Sequence, residues 1–202
     1  MDEVSFEYFN QKDRDILKKF IKNNWSSNHI FTKDNIVFDF QYSKNEYTFV
    51  IAKSKNKIIG VQGYIDYDKF TKLNNKEIFL AFWCVSSDAP IGVGLRLHKF
   101  ILNNSMAKFV GIIGINKATH KLHKWLGFQI KKMEHYVMIN SNFKKFKLTK
   151  LGNYKVKTKK KLTNQVDLIE INKNSLFEII DNKFYASQKP LKSNQYIKFR
   201  YF

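Results

Sequence analysis

The sequence predicts an α/β domain over residues 1–142, with a mixed, mostly antiparallel sheet flanked by helices. Three observations carry this. A short polar connection joins two apolar segments between Tyr47 and Ile65. A nearly uninterrupted apolar run follows at Glu77–Val85, and it leads through a Gly-x-Gly turn into an amphipathic helix. Strands alternating with helical patterns of this kind read as α/β rather than as a bundle or a sandwich.

The elements follow in order. Ile16, Leu17, Phe20 and Ile21 recur at helical spacing, with Asn10 available as a cap, so a first helix is expected to end near Asn23-Asn24. The segment from Trp25 to Tyr42 has no firm period. Tyr47–Ala52 and Lys57–Ile65 read as the two strands of an antiparallel hairpin turning at Lys53–Asn56, and a polar loop runs from Asp66 to Lys76. Glu77–Val85 has the pattern of a central strand buried on both faces. Past Gly92-Val93-Gly94, the positions of Leu97, Phe100 and Ile101 define a helix that ends around Asn103-Asn104. Phe109–Ile115 reads as a short buried strand, Lys117–Trp125 as a helix stopped by Gly127, and Phe128–Ile139 as a final strand or pair of strands.

Beyond residue 142 the composition changes. Residues 143–163 are a Lys-rich linker, and 164–202 form a small or incomplete C-terminal segment. There Val166–Ile171 alternates like a strand and Asn174–Ile180 suggests a short helix. A piece of that size needs outside support, so it packs on the first domain, joins a partner or opens a second domain.

Composition excludes several classes. The 202 residues include 44% hydrophobic and 16% aromatic residues, enough for a sizeable core and unlike a disordered chain. Cys84 is the only cysteine, so no disulfide framework exists and a Cys/His zinc site is disfavoured. The chain begins Met-Asp-Glu-Val-Ser without a secretory pattern, and its apolar runs are far shorter than the roughly 20 residues of a membrane span. A cytoplasmic protein is the expectation. The formal net charge is +19, from 36 basic and 17 acidic residues, and it invites a nucleic-acid reading. Only Arg14, Arg96 and Arg200 are arginines, whereas readers of bases and phosphates lean on the guanidinium fork. The charge also concentrates at the end: residues 143–202 hold 15 basic and 4 acidic residues, against 21 and 13 before them. Nucleic acid is therefore not the expected partner, and the run Lys155–Lys161 reads as a solvated linker.

The chemistry lies in two stretches. Gly92-Val93-Gly94 opens a helix, where outward-pointing backbone N–H groups and the helix dipole favour a phosphate. Glycine serves there by leaving room for the anion or by adopting positive φ. Leu97 stands where a dinucleotide fingerprint needs its third glycine, and no Walker Lys-Ser/Thr follows. The second stretch is Asn116-Lys-Ala-Thr-His-Lys-Leu-His123-Lys-Trp-Leu-Gly-Phe128.

Together these resemble the GNAT superfamily of acyl-CoA-dependent N-acetyltransferases over roughly residues 5–140. Its phosphate motif is Gln/Arg-x-x-Gly-x-Gly/Ala, and its later helix carries Asn-x-x-Ala-x-x-Leu-Tyr-x-x-x-Gly-Phe. The resemblance implies an enzyme moving an acetyl group from acetyl-CoA to a primary amine by direct attack in a ternary complex, without a metal. It implies that Gly92, Val93, Gly94, Leu95 and Arg96 cradle the coenzyme pyrophosphate, that Asn116 contacts the pantetheine arm, and that backbone near Val85 binds that arm and polarises the thioester. Two residues depart from the pattern. Ala89 replaces the family's Gln or Arg, with Arg96 a candidate to compensate, and His123 replaces the Tyr that protonates the departing thiolate. Histidine can do that work near neutral pH. Glu77 is the candidate general base, set against a solvated strand-end carboxylate, and Asp88 is a weaker one. Cys84 reads as core. His120 and His123 at i, i+3 lack a third metal ligand, and His29, His98 and His135 read as structural.

Trp83, the Trp25/His29 segment and the extra C-terminal portion are also loosely similar to bacterial surface-polysaccharide acyltransferases, which implies a nucleotide-linked amino sugar as acceptor. The expected partners are a small-molecule amine and, as the assembly to test, a homodimer. Two rival readings remain: an inactive GNAT-fold domain within a larger assembly, favoured by Ala89 and His123, and a basic nucleic-acid-binding module using residues 143–163.

Overall fold

A computed structural model describes residues 3–42, 47–70, 76–133, 172, 174–175 and 192–201. The chain divides into two units: residues 1–114 with 172–202, and residues 115–171. This partition differs from a boundary at residue 142, because the Asn116 motif falls in the second unit and the C-terminal residues return to the first.

The first unit is built on a five-stranded sheet ordered β1-β2-β3-β4-β5, comprising Ser5–Tyr8, Phe49–Ser54, Lys57–Asp66, Glu77–Val85 and Phe109–Ile112. The first four strands run antiparallel, and β5 pairs in parallel with β4, giving the mixed sheet. The β2–β3 turn is narrower than expected. Lys55 and Asn56 both take positive φ (46° and 63°), and such primed turns match the twist of the flanking strands.

Among the described residues there are six helices, numbered in chain order. In α1 (Arg14–Asn24), Leu17, Phe20 and Ile21 are buried while Ile16 is exposed, since it falls about 100° off the stripe. Asn10 caps a single 3-10 turn ahead of α1, its Oδ1 accepting from Lys12 N–H at 3.1 Å. The aperiodic segment folds as α2 (Ile30–Lys33) and α3 (Asn35–Tyr42), and Asp34 caps α3 by accepting from the N–H groups of Ile36 and Val37. These helices and one face of the sheet enclose an aromatic core of Phe9, Phe20, Phe38, Tyr42 and Phe49 with aliphatic partners. Cys84 belongs to this core. Burial pushes its thiol up to about 11, consistent with a packing role rather than a nucleophilic one.

On the other face lies α4 (Val93–Asn104), which buries Val93, Leu97, His98 and Ile101. Gln62 Nε2 donates to His98 Nδ1 at 3.2 Å, and the His98 ring lies 5.4 Å from Trp83. His98 is therefore a core histidine, held through Nδ1 and its ring contact with Trp83.

The second unit contains, among the described residues, a 3-10 turn at Lys117–Thr119 continuing into α5 (His120–Trp125). Gly127 follows at φ 89°. Residues 128–133 carry no strand, contrary to the expectation over Phe128–Ile139, whose remainder lies outside the described residues. So do the expected strand Val166–Ile171 and nearly all of the expected helix at Asn174–Ile180.

The last helix, α6 (Asn194–Tyr201), packs on the first unit. Tyr196 meets Tyr67 with ring centroids at 4.8 Å, Phe199 stacks on Phe40 at 4.4 Å, and Arg200 Nη1 donates to Gln41 Oε1 at 2.8 Å. For this helix, support comes from the first unit of the same chain. Among the described residues, no helix is long and apolar enough to cross a membrane.

Candidate active site

Strand β4 and the turn into α4 supply the main geometry. The β4–β5 ladder stops at Leu80–Ile112, so residues 81–85 run past the end of β5. Within that stretch the register against β3 slips: Gln62 pairs with Trp83 and Gly63 with Ala81, leaving Phe82 as a bulged residue at φ 24°. A bulge leaves one residue outside the ladder and re-aims what surrounds it. Backbone near Val85 is thus placed where sheet pairing on the β5 side has ended, as a backbone-mediated contact with a ligand arm requires.

The two glycines of the turn have different tasks. Gly92 has φ 87°, and the direction its Cβ would take is empty for 4 Å, so backbone conformation alone selects glycine. At Gly94 a Cβ would lie 3.1 Å from Val85 Cγ2 and 3.2 Å from Trp83 Cζ2. Its absence lets α4 approach β4, and it clears space against protein rather than for an anion. Pro90 carbonyl accepts from Val93 N–H at 3.2 Å, and Gly92 carbonyl accepts from Arg96 N–H at 2.9 Å. The Val93 and Arg96 N–H groups are therefore committed, and Gly94 and Leu95 supply first-turn N–H groups ahead of the first intrahelical bond. The Arg96 guanidinium lies over the Phe6 ring at 4.9 Å, so it packs on β1.

Glu77 is buried at the start of β4, not solvated. At about 3.3 Å rise per residue it sits roughly 26 Å along the strand from Val85, which separates it from the turn. Asp88 lies in the turn, but the Ser86 hydroxyl and the Lys57 ammonium, 2.9 Å away, hold its carboxyl down to about 2. Such a carboxylate is a weak base.

The second unit holds the other two candidates. Asn116 Oδ1 accepts from Ala118 N–H at 3.0 Å, and its carbonyl accepts from the Thr119 hydroxyl at 2.8 Å, so this side chain caps the turn that starts the helix. His123 is buried, with Nδ1 2.8 Å from the Thr119 carbonyl and its ring 5.6 Å from that of Phe128. A carbonyl only accepts, so Nδ1 carries a hydrogen and proton exchange falls to Nε2. Among the described residues, no three His, Cys, Asp or Glu side chains group as metal ligands.

No protein-family model matches the sequence, and no curated protein matches it. Solved structures do match. The aminoglycoside N-acetyltransferase AAC(6')-Iy in complex with CoA aligns over 69% of this chain and 96% of its own, at 14% identity and a TM-score of 0.52. A GNAT family acetyltransferase from Staphylococcus aureus aligns over 69% and 100%, at 16% identity and 0.51. An aminoglycoside acetyltransferase from an uncultured soil metagenomic sample aligns over 68% and 99%, at 10% identity and 0.54. This chain has the GNAT fold. Within that fold, β4 with its bulge and the turn into α4 form the candidate site of the first unit.

The bulge and the packing around it were not legible from the residues. Phe82 gives no glycine or proline signal, and the partners of its ring, Trp25, His29 and Phe31, come from the aperiodic segment.

Proposed function

We propose that the protein is an acyl-CoA-dependent N-acyltransferase that moves an acetyl group from acetyl-CoA to a small primary amine. The observation that carries this reading is the left-handed glycine turn at the N-terminus of α4, beside a bulged strand end that outruns its neighbour. The coenzyme pyrophosphate, an anion, suits the Gly94 and Leu95 N–H groups and the helix dipole. Backbone N–H groups near Val85 are assigned to the pantetheine arm and the oxyanion that forms as the amine attacks the thioester carbonyl. Direct attack needs no protein nucleophile, which agrees with the raised thiol of Cys84. On the resemblance, His123 gives the proton to the departing thiolate from Nε2. Glu77 has no part in this reading, because β4 carries it away from Val85. Nucleotide-linked amino sugars remain one acceptor class to assay.

A second reading has an observation of its own. Ala89 offers no phosphate-binding side chain and Arg96 is stacked on Phe6, so an inactive GNAT-fold domain within a larger assembly is the alternative. Release of the CoA thiol from acetyl-CoA in the presence of an amine panel tests the proposal. Amine-dependent release supports catalysis, and a folded chain that gives no release with any amine would favour the second reading.

A further inference from the structure

The aromatic residues around the β4 bulge form a graded assembly. The Phe82 ring, at the bulged position, has centroids 5.2 Å from Trp25, 5.2 Å from His29, 5.8 Å from Phe31 and 5.9 Å from Phe49. Phe49 is fully buried, whereas Trp25, the residue after α1, is 55% exposed. A core ring cluster thus reaches the surface at Trp25, beside the strand segment that outruns β5.

His29 is fixed in this wall and is not a base. Its Nδ1 accepts from Phe31 N–H at 3.3 Å, capping α2, and burial lowers its pKa. The ring is neutral with its hydrogen on Nε2, so it presents a donor and an aromatic edge.

The charges nearby set the sign of what fits. Carboxylates from residues 10 to 42 are committed elsewhere: Asp13 to Lys53, Asp39 to Arg14 and Asp34 to the cap of α3. Asp15 lies near the other end of α1, about 15 Å from Trp25 by helix rise. Lys22, one turn before Trp25, and Lys33, ending α2, are exposed. Among the described residues 10–42 no carboxylate near Trp25 is left to receive a polyamine or polycationic sugar, which would meet Lys22 and Lys33, whereas a flat apolar body would stack on exposed aromatic surface.

We infer that Trp25, with His29 and Phe82 behind it, is the specificity surface for the acceptor, and that the acceptor is a monoamine carried on an aromatic or broad apolar body. The inference rests on the acyltransferase reading for the amine's fate, but the surface itself is tested without coenzyme. Titrating 2-phenylethylamine into the full chain changes tryptophan emission saturably, and Trp25→Phe removes most of that change while Trp83 and Trp125 remain. A turnover assay with acetyl-CoA then compares 2-phenylethylamine, glucosamine and spermidine. Trp25→Ala raises KM for 2-phenylethylamine about tenfold, the size expected for loss of an aromatic stack, with kcat and the KM for acetyl-CoA held within about threefold. A saturable emission change with no coenzyme binding would retain the surface and remove the acyltransferase reading. Coenzyme turnover with no emission change, with spermidine or glucosamine preferred, or with KM unmoved in Trp25→Ala overturns the inference and leaves that reading standing.

Discussion

Replacing Gly92 by alanine isolates the backbone conformation at the start of α4. Gly92 sits at φ 87°, and its missing Cβ faces open space, so the substitution adds no clash and its whole effect is conformational. An L-residue in the left-handed region costs about 1–2 kcal/mol, and that loss should appear in the urea midpoint of Gly92→Ala. Gly92→Asn should lose less, since asparagine visits this region more readily. If the chain relaxes φ to escape the strain, it gives up the Pro90–Val93 and Gly92–Arg96 bonds that shape the turn. Calorimetric titration then reports weaker coenzyme binding, about tenfold for each 1.4 kcal/mol. Urea unfolding followed by circular dichroism measures the stability effect. A Gly92→Ala protein within about 0.5 kcal/mol of the parent, the range of an ordinary surface change, would refute the claim that positive φ selects glycine here.

Three further outcomes follow from the site. His123→Phe should keep coenzyme affinity and lower kcat about a hundredfold, the low end for general acid–base catalysis; an unchanged kcat removes His123 from the mechanism. Folding raises the Cys84 pKa from 9.0 to about 11, so its contribution to stability is complete below pH 9 and is lost as pH rises through 11. The fall in urea midpoint between pH 9 and 11 should therefore be smaller in Cys84→Ala, and an equal fall would contradict the assignment. Asp88 has a lowered pKa, held down by the Ser86 hydroxyl and then by Lys57, so these contacts contribute above its ordinary value of 3.8 and fade as pH falls through about 2. A carboxyl carbon titration by nuclear magnetic resonance should show that midpoint, moving upward in Lys57→Met; a midpoint near the ordinary value would show that the turn lacks this contact.

What could be read from the residues depended on how long each element is and whether one face is buried. β4 was legible to the residue because eight apolar or aromatic positions run together after Glu77, and the helical period of α4 carried it clearly. β1 was missed: it is a four-residue edge strand whose Phe6 and Tyr8 pack on Phe100 of α4, a contact invisible locally. α2 and α3 were missed for a different reason. They are rich in Ile, Phe and Val, which favour strands, and they are helical because an aromatic cluster and the Asp34 cap hold them so. At the site, the glycine turn was visible as a motif, but the division of labour was not. Gly94 turned out to serve helix–sheet packing, and Arg96 found Phe6 instead of the turn. The distance of Glu77 from Val85 was implicit in the length of β4, a strand expectation that also placed the candidate base at its far end.

The central claim is that the turn at Gly92–Leu95 receives the pyrophosphate of an acyl-CoA. It is tested most directly by titrating acetyl-CoA into the amide-labelled chain and following the backbone resonances. The account predicts saturable shifts largest at Gly94 and Leu95, with further shifts at residues 83–85. Saturable binding that leaves those amides unmoved, or no binding at millimolar coenzyme, would contradict it.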